Sequence, residues 1–171
     1  HSLRRTALSP VDQFMDAAKT QMAASREMRD KAAVKFDKAQ VGFYLAVVPE
    51  CRFLLGQIER HFIGNNDPNI FFALLTDYAD APQKEMDGDD QPVAQARAAV
   101  EALNRKYGYP GCQPFFFFHR ERVWSDSEER WMGWERKRGK LEEFNELLGG
   151  SDSTTFTIKV GDLSVLPTIR Y

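Results

Sequence analysis

The sequence predicts an α/β protein built on a mainly parallel sheet flanked by helices, with a helical segment ahead of it. Three observations carry this reading. Residues 41–48, 70–75 and 114–118 form runs that are apolar on both faces, as strands covered on both sides of a sheet must be. Stretches with helical spacing of apolar residues alternate with them, the pattern of a parallel sheet with crossover helices. Turn-forming residues separate the runs, as in Asn65-Asn66-Asp67-Pro68-Asn69.

Taken in order, Ser9-Pro10 opens a helix with a hydroxyl cap and a proline at the first helical position. Phe14, Ala18, Met22, Met28, Ala32 and Phe36 then recur near helical spacing, so residues 1–39 read as one or two helices packed on the rest. The domain proper is expected over 40–171. Its first strand ends at Pro49, and a helix from Cys51 to about Ile63 turns Leu54, Ile58 and Phe62 inward. The second strand ends on Thr76-Asp77. Residues 79–92, acidic and holding Pro82 and Gly88, predict a solvated loop, and 93–107 a helix with Ala96, Val100, Leu103 and Tyr107 on one face. Four consecutive phenylalanines make the third strand. A basic stretch, Arg136-Lys-Arg-Gly-Lys140, feeds a helix with Leu141, Phe144, Leu147 and Leu148 on its apolar side, closed by Gly149-Gly150. Residues 152–160 predict a short edge strand, and 165–171 the approach to another strand that stops as it begins, an ending that reads as a piece cut from a longer chain.

With 171 residues the chain suits one domain, and 43% hydrophobic and 28% charged residues are ordinary for a globular protein. A net charge of −2 gives no argument for a nucleic-acid or membrane-surface partner. Cys51 and Cys112 are too few for a disulfide framework and lie in no zinc pattern. No signal peptide opens the chain at His1, a residue that reads as a tag remnant as readily as a native one, and no apolar run reaches the roughly 20 residues that span a bilayer.

In open parallel sheets ligands bind at the carboxyl edge of the strands. This singles out Pro49-Glu50, Thr76-Asp77 and His119-Arg120. Asp77 can accept hydrogen bonds from a ribose or a base edge, or cap the next segment; spacing does not choose between these. Asp80 beside it is a weak hint of a metal pair. Arg136, Lys137, Arg138 and Lys140 at a helix start suit a diphosphate, although charge runs are more often solvated faces. Basic side chains there oppose the helix dipole, which an arriving anion would offset. Trp124, Trp131 and Trp134 are either a platform for sugar rings or large side chains packed under a loop. His119 and Arg120 belong to the same open question, and no Cys/His grouping marks a metal site.

The block Trp131-Met-Gly-Trp-Glu-Arg-Lys-Arg-Gly-Lys-Leu-Glu-Glu-Phe-Asn145 resembles the glycosyltransferase domain of cyclic β-glucan synthases, glycosyltransferase family 84. His119-Arg-Glu-Arg-Val-Trp124, Leu74-Leu-Thr-Asp-Tyr-Ala-Asp80 and Leu45-Ala-Val-Val-Pro49 extend the resemblance from about residue 41 to 171. It implies a partial Rossmann-like GT-A nucleotide-binding sheet and a UDP-glucose-dependent glucosyltransferase that extends a β-glucan acceptor. It further implies that Pro49 and Asp77 border the uridine, while Lys140, with Arg136 and Arg138, faces the diphosphate. A divalent cation, Mg²⁺ or Mn²⁺, and a catalytic base are implied by later motifs that this chain does not contain. The expected setting is a membrane-anchored bacterial parent with the domain on the cytoplasmic side of the inner membrane, this piece being soluble and inactive alone. The β-1,2 or β-1,3 linkage is left open. A scaffold or regulatory segment of such a synthase is the competing reading. A sugar phosphorylase is a third, disfavoured by the alternation of strands and helices.

Overall fold

The computed structural model describes residues 40–47, 51–65 and 67–169. The N-terminal helical segment expected over 1–39 lies outside the described residues, as do Pro49 and Tyr171. The fold is mixed α/β. Its main sheet has four strands in the order β1-β2-β3-β6, with β1 at Gln40–Val47, β2 at Ile70–Asp77, β3 at Phe115–Arg120 and β6 at Phe156–Val160. β1, β2 and β3 are parallel, and β6 runs antiparallel to β3. The expectation of a mainly parallel sheet therefore holds for its first three strands, while β6 makes the sheet mixed.

The apolar runs of β2 and β3 are strands buried on both of their faces. Helix α1 (Cys51–Gly64) connects β1 to β2, and helix α2 (Asp90–Tyr107) connects β2 to β3. They share one face, where Phe62 of α1 meets Phe72 and Phe115 and also Tyr107 of α2. Successive side chains along a strand point to opposite faces. Phe71, Ala73, Leu75, Phe116 and Phe118 thus line the other face, against Phe144 and Leu148 of helix α3 (Arg136–Leu148) and Phe156 of β6. Phe118 lies 5.3 Å from Phe144 and 5.7 Å from Phe156, centroid to centroid, in tilted and edge-on geometries favoured by ring quadrupoles.

Three local readings change. Helix α2 begins at Asp90, not at Val93, since Pro92 falls in its first turn, where a missing N–H breaks no helical bond. Residues 123–132, expected only as a tryptophan followed by an acidic segment, form a hairpin of β4 (Val123–Ser125) and β5 (Arg130–Met132). Of the approach to a strand expected at 165–171, residues up to Thr168 belong to a 3-10 helix over Leu163–Thr168, opened by the Asp162 side chain accepting from the Ser164 N–H; Ile169 is extended, and 170–171 lie outside the described residues. Short polar side chains readily make that local bond and so compete with extended pairing.

Candidate functional site

The register Val47↔Asp77↔Arg120 sets the ends of the three parallel strands side by side, making their common carboxyl edge. Odd positions of β2 and even positions of β3 share a face. Asp77 and Arg120 therefore end up on the same side of the sheet, the side that α3 covers. Their side chains meet: Arg120 Nε donates to Asp77 Oδ1 at 2.6 Å. Nη1 donates to Glu143 Oε1 at 2.8 Å and Nη2 to the Arg136 carbonyl at 3.0 Å. Arg120 has no exposed surface, so these bonds from all three of its nitrogens offset the cost of desolvating it.

Lys140 closes the constellation from α3. Its ammonium lies 2.7 Å from Asp77 Oδ2, and the residue is only 4% exposed. Burial pushes the Lys140 ammonium below its ordinary range, and the adjacent Asp77 charge pulls the other way. Cys51, which opens α1 and is buried, is close enough to act on the same ammonium. Glu143, one helical turn beyond Lys140, accepts from both hydroxyl and backbone of Thr155 and from the Thr154 hydroxyl. Burial raises its carboxyl, but the Thr155 bonds and Arg120 outweigh that and hold it low. Asp77, Arg120, Lys140 and Glu143 thus form one buried network, two acids against two bases, tying the ends of β2 and β3 to the first turns of α3.

Two glycines make room for it. A Cβ on Gly133 would lie 2.8 Å from Asp77 Cγ and 3.0 Å from Arg120 Nη2, so the chain can pass the ion pair only without a side chain. A Cβ on Gly139 would stand 2.2 Å from the Trp134 carbonyl oxygen and 2.5 Å from its ring carbon Cε3. The glycine in the basic stretch therefore serves close packing of Trp134 on α3.

The other candidates are divided. Arg136 is exposed and reaches Asp80 at 3.1 Å and Glu128 at 3.3 Å. Arg138 points to solvent and pairs with Glu142 along the helix, apart from the Asp77 corner. Pro49 lies outside the described residues. His119 and Arg120 have no exposed surface, so neither is placed to touch a glycan from solvent. His119 Nδ1 shares a 2.7 Å hydrogen bond with Thr76 Oγ1, and burial holds its pKa down at about 4. Trp124 and Trp131 pair across the hairpin, and Trp124 and Trp134 are about half exposed. Among the described residues no group of three or more His, Cys, Asp or Glu side chains is gathered as for a metal ion, and Asp77 and Asp80 each face a cation of the protein.

Sequence reasoning missed two residues here. Glu143 stands three positions after Lys140, a helical spacing that puts both on one face. Arg122 anchors the loop after β2: its guanidinium donates to the carbonyls of Ala79 and Lys84 and forks onto the Asp89 carboxylate. It also stacks 4.6 Å over the Tyr78 ring. That loop borders a cleft of about 810 Å³ lined by Tyr78, Asp89 and Glu121 among others. No local pattern announces a partner 33 residues away in sequence.

No helix among the described residues is long and apolar enough to cross a membrane. No family model matches the sequence. The chain is 42% identical over 103 residues to the cyclic beta-(1,2)-glucan synthase NdvB of Rhizobium meliloti (strain 1021). The matched stretch is 60% of this chain but 4% of that protein's length. The similarity supports a relationship between this chain and that glucan synthase.

Proposed function

We propose that this chain is the donor-binding part of a glucosyltransferase, holding UDP-glucose at the carboxyl edge of β1–β3 for transfer to a growing β-glucan. The observation that carries this reading is the Asp77–Lys140 pair. It fixes a carboxylate and an ammonium side by side at the edge where open parallel sheets take their ligands. Each Asp77 oxygen has a second lone pair beyond its ion pair, so a ribose hydroxyl or a base N–H can donate to it. A diphosphate arriving beside the desolvated Lys140 would favour its charged form, reversing part of the burial effect. Arg136 is exposed, and its surface ion pairs are cheap to exchange for phosphate oxygens. The relationship to a glucan synthase supports glucose as the sugar and a glucan as the acceptor.

On this reading the parent is a bacterial enzyme of GT-A type, anchored in the inner membrane with this domain facing the cytoplasm. The divalent cation that such chemistry uses would neutralise the diphosphate as it leaves. The described residues supply no ligand set for it, so we derive no step through it. The residues of this chain bind and orient: Asp77 the nucleoside, and Lys140 with Arg136 the diphosphate.

A second reading has its own support. The charges of Arg120 and Lys140 are already balanced by Asp77 and Glu143, as they would be in a scaffold that binds no nucleotide. Calorimetry with UDP-glucose and Mn²⁺ separates the two. The donor reading expects binding by this chain that Lys140→Ala weakens at least tenfold. No heat of binding, or an affinity unchanged in the variant, would favour the scaffold.

A further inference from the structure

Tryptophan is a large apolar side chain that gains from burial, yet two tryptophans lining one cleft here are half exposed. Trp124 is 48% and Trp134 46% exposed. The cleft holds about 270 Å³, and Ser125, Ser127, Glu128 and Arg136 line it with the two indoles.

Neither ring is loose. Trp124 is held on the hairpin by the edge-on contact with Trp131, centroids 5.9 Å apart, and its Nε1–H donates to Asp126 Oδ1 at 2.8 Å. The hairpin is itself clamped, because the Trp131 backbone exchanges two hydrogen bonds with Ala81 in the loop after β2. Trp134 is held by Gly139, whose missing Cβ is what lets the ring lie against α3. That arrangement has a cost. A glycine inside a helix is worse than alanine by about 1 kcal/mol. Glu135 and Arg136, just after Trp134, both take left-handed backbone angles, φ 47° and 44°, which residues other than glycine rarely adopt. Strained backbone and a helical glycine thus accompany a half-exposed indole.

We infer that this cleft is a binding subsite for glucopyranose units of a β-glucan chain, with the Trp124 and Trp134 rings stacking on the sugar faces. A pyranose with equatorial hydroxyls has apolar C–H faces and a polar rim. The two indoles match the faces, and the hydroxyl, carboxylate and guanidinium groups that line the same cleft match the rim. Rings ordered before binding save the entropy of fixing them on contact. The polar groups are available, since Glu128 and Arg136 meet each other only at a surface distance of 3.3 Å. Arg136 reaches Asp80 with the same nitrogen, so the cleft adjoins the edge at which Asp77 and Lys140 stand. The choice of glucose as the sugar rests on the glucan-synthase reading above; the cleft shares Arg136 with that reading, but neither Asp77 nor Lys140 lines it.

Titration of this chain with a linear β-1,2-glucan oligosaccharide, followed by tryptophan fluorescence and calorimetry, tests the inference. Binding with a change in indole emission is expected, weakened at least tenfold in Trp124→Ala and in Trp134→Ala, with Trp134→Phe keeping part of it. Near-UV circular dichroism and thermal melting of each variant identify any that has merely unfolded. Trp124→Ala, on the hairpin surface, is the variant expected to stay folded. Absence of glucan binding by the native chain, or equal affinity in a folded Trp124→Ala, overturns the subsite and leaves the rings to a protein partner. UDP-glucose titration of the same samples keeps the two readings apart. Loss of glucan binding with donor binding intact concerns the cleft, and the converse concerns the Asp77–Lys140 edge.

Discussion

Lys140 Nζ stands 2.7 Å from Asp77 Oδ2 in a place where neither side chain meets much water. The two residues are 63 positions apart in sequence, one at the end of a strand and the other in the second turn of a helix. Their contact converts two separate hints, an acid at a sheet edge and a basic stretch, into a single charged unit shared with Arg120 and Glu143.

Removing Asp77 should therefore be expensive. Asp77→Ala leaves Arg120 Nε and Lys140 Nζ buried without their shared carboxylate, and breaking a buried ion pair costs about 3–5 kcal/mol. Adding Lys140→Met should recover part of that loss, because it takes away one of the uncompensated charges. Urea unfolding of the two variants reads this directly. A loss below about 1 kcal/mol in Asp77→Ala would mean the network contributes little.

Gly139→Ala tests the packing of Trp134. Alanine is ordinarily the better helix residue by about 1 kcal/mol. Here its methyl would collide with the Trp134 backbone and ring, so the substitution should destabilise, by about 1–3 kcal/mol. It should also move the tryptophan emission. Stabilisation with unchanged emission would show that the close contact is not maintained.

His119 gives the fold an acid limb. Its pKa is lowered from 6.5 to about 4, first by burial, with Lys140 and Arg122 adding to the effect and Asp77 and Asp89 opposing it. The unfolded chain then takes up the proton at higher pH than the folded one. This contribution is fully present above about pH 6.5 and is lost as pH falls towards 4, up to ~3 kcal/mol in all. His119→Gln should flatten that part of the stability profile between pH 4.5 and 7 in urea titrations. An unchanged slope would assign the acid sensitivity to other groups.

Arg122→Ala should free the segment from Ala79 to Asp89 while leaving the sheet in place. The guanidinium is what joins Ala79, Lys84 and Asp89, and Asp89 is held in its charged form chiefly by that bond. Hydrogen exchange should rise across this loop and not in β2 or β3. Equal protection of the loop in the variant would show that other contacts hold it.

The elements were legible because burial imposes periodicity. Strands covered on both faces must be apolar throughout, so the four phenylalanines before His119 announce β3 without any context. Helices with one wet face must alternate at helical spacing, which placed α1 within a residue and the end of α3 at Gly149, although α3 takes in the basic stretch that was expected to lead into it. The β4–β5 hairpin was not legible: its strands are three residues each, too short for alternation to register, and the turn between them is charged rather than glycine-rich. Its last turn residue, Glu129, even adopts a left-handed φ of 48° that a glycine would have signalled.

By itself the sequence determined what is local: the alternation of strands and helices, the residues that end each strand, and the run of basic residues at the start of α3. Only the tertiary structure decided which charges meet. A buried charge must find a counter-charge wherever the fold brings one, so Lys140 turns inward to Asp77 while Arg138, two residues earlier on the same helix, stays in solvent. Gly139 is a similar case: nothing local says why a glycine stands among basic residues, whereas in the fold a Cβ there would collide with the backbone and ring of Trp134.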